Sequence, residues 1–120
     1  MEKGFQEYEA IEWLTNNKNI SALATNRFGE TSNAIKFVEE LYEAGAVSVK
    51  VIDIYDEPER IAAEGGAYAS AVIVELPEQI EKREKIKAIY IKEIQTYQMN
   101  EGDEESVENE YEGVISFWWD

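Results

Sequence analysis

The stretch 25–33, TNRFGETSN, gathers residue types that can hold an anion: the guanidinium of Arg27, the small backbone of Gly29, the hydroxyls of Thr31 and Ser32, and the amide of Asn33. They stand where a helix is expected to begin, and the first N–H groups of a helix lack intrahelical partners and favour negative charge. A phosphoryl group or a carboxylate is the ligand for such a loop. Glu30 intrudes, however, and the plainer alternative is that Arg27 pairs with an acid while Thr31 or Ser32 caps the helix. A second set is Trp13, Tyr55, Tyr68, Trp118 and Trp119, rings that can line a pocket or, at strand and helix spacing, fill a core. Of these, Trp13 and Trp118 are the two expected at an interface. A third is the acidic run 101–112. Clustered carboxylates can bind calcium, but DEESVENEYEG lacks the alternating acids and sixth-position glycine of an EF-hand loop. That leaves a solvated loop or a surface for a basic partner. Glu75, on an otherwise apolar run, is either an acid–base carboxylate or a strand end in water. No catalytic residue, metal ligand or cofactor is expected.

Composition narrows the chemistry further. The chain has no cysteine and no histidine, which removes disulfides, Cys/His zinc sites, thiol nucleophiles and imidazole-based triads. With 26 acids against 11 bases the formal charge is −15, so a phosphate backbone is repelled and no nucleic-acid partner is expected. Five bases lie close together, Lys82, Arg83, Lys85, Lys87 and Lys92, but Glu81, Glu84 and Glu93 interleave them in the pattern of an exposed, ion-paired helix face. No apolar run approaches the ~18 residues of a membrane span, and the acidic start is unlike a signal or transit peptide. A cytoplasmic protein without membrane contact is expected, folded as one domain over residues 1–120, since 44% of the residues are apolar.

The elements that must position these residues follow from hydrophobic period. Phe5, Tyr8, Ile11 and Leu14 predict an added N-terminal helix over 4–16. ISALATNR reads as a strand buried on both faces over 20–27. Ala34, Phe37, Val38, Leu41 and Tyr42 predict a helix that Gly45 closes. VSVKVIDIY reads as a strand whose alternation slips at Ile52, from a bulge or a change of burial. A helical turn at PERIAAE, a strand at SAVIVEL, a helix over 78–98 with Ile86, Ile89, Tyr90, Ile94 and Tyr97 inward, and a last strand at VISFWWD complete the chain.

After the first helix the order is strand, helix, strand, strand, helix, strand. That predicts an α+β, ferredoxin-like (split βαβ) fold: a four-stranded antiparallel sheet in the order 4-1-3-2, two helices on one face, and the N-terminal helix as an addition. The last strand would pair with ISALAT, with Trp119 under the helices and Trp118 under the N-terminal helix or a dimer contact. This order, with ALATNRFGE, FVEELYEAGAV and a terminal WWD, resembles a set of small uncharacterised bacterial proteins of that topology. The resemblance implies the fold and no activity. The expected role is a non-enzymatic interaction domain, homodimeric or bound to another protein. The alternative is an acidic inhibitor or immunity protein that fills a basic site such as a nuclease's. Acylphosphatases share the expected topology and hold a phosphoryl group in the loop that corresponds to 25–33, but their Gly-rich cradle is not matched, so a hydrolase of that kind comes third.

Overall fold

The structure is a computed structural model that describes residues 7–97 and 113–119. Helix 31–44 forms where its apolar spacing places it, as α3 (Thr31–Ala44), with Ala34, Phe37, Val38 and Leu41 buried on one face. Gly45 ends it at φ 118, a left-handed conformation that a Cβ would strain. Around it stand α1 (Ala10–Thr15), α2 (Thr25–Phe28), α4 (Pro58–Glu64) and α5 (Ile80–Tyr97), with strands β1 (Tyr8–Glu9), β2 (Ser48–Tyr55), β3 (Tyr68–Glu75) and β4 (Val114–Trp118). Pro58 opens α4, where its missing N–H costs nothing.

The sheet is antiparallel throughout, in the order β1-β2-β3-β4. This corrects the expected 4-1-3-2 order, and with it the ferredoxin-like topology. Residues 20–27 are not a strand. Leu23 alone bridges Ala69, in parallel, through Ala69 N–H to Ala22 O and Ala24 N–H to Ala69 O at 2.8 and 2.9 Å. Even that bridge is parallel, whereas the first and third strands of the expected sheet would pair antiparallel. Two competitors explain the rest. β4 pairs with β3 over Ala71–Glu75. Side chains also take the segment's backbone donors, since Asn17 Oδ1 accepts from Asn19 N–H, Asn19 Oδ1 from Ser21 N–H, and Thr31 Oγ1 from Ala22 N–H. Local side-chain bonds of this kind are an alternative to a ladder. The chain then turns through Ala24, at φ 40, into the single turn of α2.

The expected N-terminal helix is shorter, α1, and Tyr8–Glu9 ahead of it are paired with Val51 and Lys50. The carboxylate of Glu9 caps α1 by accepting from Ile11 and Glu12 N–H at 3.1 and 2.7 Å. Thr31 and Ser32 do not cap α3: its N-cap is Glu30, which makes no side-chain capping bond. At Ile52 the alternation is kept, but Asp53 adopts φ 57 while the register holds from Ile52–Ala71 to Ile54–Ala69. The slip is therefore a burial change at an exposed Asp53 and not an inserted residue.

Register aligns two faces. Val49, Val74 and Ile115 line up on one, with Val51, Val72 and Phe117 beside them, and this face buries against α1, α3 and α5. On the other, Ile52, Ala71 and Trp118 line up, then Lys50, Ile73 and Ser116, then Ser48, Glu75 and Val114. Trp119 follows Ile115 and Phe117 to the helical side and is buried, as its alternation predicts.

Candidate functional site

Arg27, at the end of α2, does not wait for a ligand. Its Nε and Nη2 donate to the two carboxylate oxygens of Glu93 on α5 at 2.7 and 3.0 Å, a bidentate pair. Trp119 Nε1 donates to the same Glu93 Oε1 at 3.0 Å, and Asn26 Nδ2 holds the Trp119 carbonyl at 2.6 Å. The guanidinium also lies over the rings of Phe28 and Phe37, 4.6 and 5.6 Å from their centroids. Phe28, Phe37, Phe117 and Trp119 pack mostly tilted or edge-on at 5.1–5.9 Å. This cluster locks α2, α3, α5 and the end of the described chain together. Glu93 is only 3% exposed, which corrects its expected place on a solvated helix face. A signal was there: Glu93 falls three residues after the inward Tyr90 and seven after the inward Ile86, on the stripe itself.

Of the four residues expected at an anion site, Arg27 and Asn33 line one open groove of about 550 Å³ with Phe28, Lys36, Phe37, Glu39, Glu40 and Glu43. Thr31 and Ser32 do not line it. Thr31 Oγ1 donates to Asn19 O and accepts from Ala22 N–H, while Ser32 is exposed and Asn33 Nδ2 donates to Phe28 O. The first turn of α3 is also engaged, with Thr31 N–H on Ile20 O and Asn33 N–H on Glu30 O. Three glutamates line the groove with Lys36 and the paired Arg27, so it presents charge of both signs.

The five aromatic residues divide among three places. Trp119 is core. Tyr55 and Tyr68 pack tilted at 6.1 Å beneath Arg60 of α4. Trp13 packs partly against the core and lines a second groove of about 500 Å³ with Tyr8, Asn16, Lys18, Gly65 and Gly66. The floor of that groove is structural: a Cβ on Gly66 would stand 1.9 Å from Asn17 Oδ1, and Asn17 Nδ2 donates to Ala67 O at 2.9 Å. Trp118 lies on the opposite, open face of the sheet, 48% exposed. The interface pair Trp13 and Trp118 is therefore not one surface. α1 packs on α3 and β2, so Trp118 is not beneath it.

Glu75 is exposed at the end of β3 and accepts from Ser48 Oγ at 3.2 Å. Asp53 accepts from the buried Ser70 hydroxyl across the interrupted ladder. Among the described residues no group of three or more acids is placed to hold a metal ion, and the acidic run 101–112 lies outside those residues. No described helix is long and apolar enough to cross a membrane.

No family model, curated protein or solved structure matches the chain.

Proposed function

We propose that this chain is a non-enzymatic, cytoplasmic protein-interaction domain whose contact surface is the open face of its sheet, centred on β4. The observation that carries the reading is Trp118, half exposed on the side of β4 opposite the buried Ile115, Phe117 and Trp119, in line with Ala71 and the half-buried Ile52 and next to the half-buried Ile73. Aromatic rings are enriched at the cores of protein interfaces, and this one has apolar neighbours on its own face of the sheet. Arg27 supports the non-enzymatic half of the reading, because its donors point at Glu93 and not at an incoming phosphoryl group. The test compares wild type with Trp118→Glu as bait. Melting temperature should change little, because the ring is half in water, while the same identified partner should be lost from the variant. Equal capture by both baits would sink the reading.

The charge of −15 favours a second reading, an acidic inhibitor docked on a basic protein such as a nuclease. Salt separates the two: an inhibitor complex held by complementary charge weakens steeply as ionic strength rises, whereas an apolar sheet contact does not.

A further inference from the structure

Building on that reading, we propose that the partner of β4 is a second copy of this chain, joined strand to strand in antiparallel pairing about Ser116. The sheet has two edges. β1 is two residues long, too short to template a strand. β4 runs five residues, Val114–Trp118, with no proline, no charge and no bulge, the devices that normally blunt an edge.

The outward groups of β4 can be assigned. Gly113 O accepts from Leu76 N–H, and Trp119 N–H donates to Ser70 O, so odd-numbered residues point into the sheet. By alternation the N–H and C=O groups of Val114, Ser116 and Trp118 point out of it, and among the described residues no strand lies beyond. These three positions are symmetric about Ser116. A two-fold axis at Ser116 puts it opposite its own copy, Val114 opposite the partner's Trp118, and Trp118 opposite the partner's Val114. Every outward donor then meets an acceptor on both chains, which no shifted register achieves. The open faces become continuous, and each Trp118 ring lies across the partner's Val114, a favourable aromatic–aliphatic cross-strand pair.

Charge supports the same place. Two chains of −15 repel wherever acids face each other, and β4 is a neutral strip on such a chain. The contact is small, below the ~1,200 Å² of a stable complex, so association is concentration-dependent. Added salt strengthens it by screening the repulsion. That is opposite in sign to a docked basic partner.

The experiment is sedimentation of the full chain over a range of concentrations at low and high salt, with three variants. Ser116→Pro removes an outward N–H without touching the β3 ladder, so it should stay monomeric and still melt cooperatively. Ser116→Cys, in a chain with no other cysteine, should form a disulfide dimer in a glutathione redox buffer, because paired residues on the axis are about 5.5 Å apart at Cα. Val114→Cys should not, since the two thiols would be roughly 14 Å apart along the strands. A wild type that stays monomeric at every concentration and salt, with Ser116→Cys unlinked, overturns the proposal. Hydrogen exchange of that monomer then decides the broader reading. Fast exchange at Val114, Ser116 and Trp118 leaves the edge open for a foreign partner. Slow exchange means the chain covers its own edge, and both readings fail.

Discussion

At the scale of single residues, the Arg27–Glu93 pair decides what the loop after residue 24 can do. A carboxylate that is 3% exposed needs its charge matched where it sits. Arg27→Ala would leave Glu93 with the Trp119 indole as its remaining donor among the bonds described above, and breaking a buried pair from one side typically costs about 3–5 kcal/mol. Urea denaturation should show a loss of that order. The double variant Arg27→Met/Glu93→Leu should recover part of it, since it removes the stranded charge as well. No recovery would mean that the charge pairing is not what holds this cluster. Tyr90 gives the opposite case. Its hydroxyl is buried with no hydrogen-bond partner, although its ring packs edge-on at 5.3 Å against Phe117. Tyr90→Phe keeps the ring contact and removes the desolvated oxygen, so stability should hold or rise by up to about 1 kcal/mol. A clear fall would reveal a bond to that hydroxyl.

At the scale of elements, α3 is tied to the start of α1 and to β2 through Tyr42 and Glu9. The Tyr42 hydroxyl donates to Glu9 Oε2 at 2.7 Å and accepts from Val49 N–H at 3.0 Å. Burial and then the bond to Glu9 raise Tyr42 above its ordinary 10.0. Burial acts to raise Glu9 as well, but the bonds from Tyr42, Glu12 and Ile11 outweigh it and the carboxyl is lowered below 4.5. A lowered acid stabilises the fold above its ordinary range, and that contribution is lost as pH falls through the lowered value. A raised phenol stabilises below its ordinary value, and that contribution is lost as pH rises through the raised one. The stability gap between wild type and Tyr42→Phe should therefore be flat between about pH 5 and 9 and shrink at both ends. A gap unchanged at both extremes would separate the shifts from this hydrogen bond.

For the whole molecule, the last strand closes the helical side of the sheet. Ile115, Phe117 and Trp119 are all buried there. Deleting residues 113–120 removes β4's pairing with β3, the Trp119 donor to Glu93, and the burial of two large rings. Each such ring typically buries 150–250 Å² at about 25 cal/mol per Å², a loss comparable to a total stability of about 5–15 kcal/mol. The truncated chain should be insoluble or lack a cooperative melt in calorimetry. A cooperative, monomeric melt would show β4 to be detachable, leaving the Arg27–Glu93 pair to hold α2 to α5 alone.

The amino-acid sequence by itself determined the elements whose period is long and unambiguous: α3 with its Gly45 stop, most of α5, the strands around Val49 and Val72, and the inward set Ile115, Phe117 and Trp119. Local spacing sets which face of a helix or strand is apolar, and that is readable without neighbours. Strand order is not local. ISALAT is apolar enough for a central strand, but β3 has one free side, and β4 filled it while Asn19, Ser21 and Thr31 folded residues 19–25 on themselves. The outcome rests on a competition between a distant strand and nearby side chains, which no window of residues contains. The site shows the same division. Arg27, Trp13 and Trp118 stood out by residue type, whereas the partner of Arg27, 66 positions away on α5, and the exposure of Trp118 were settled only when the sheet and helices packed.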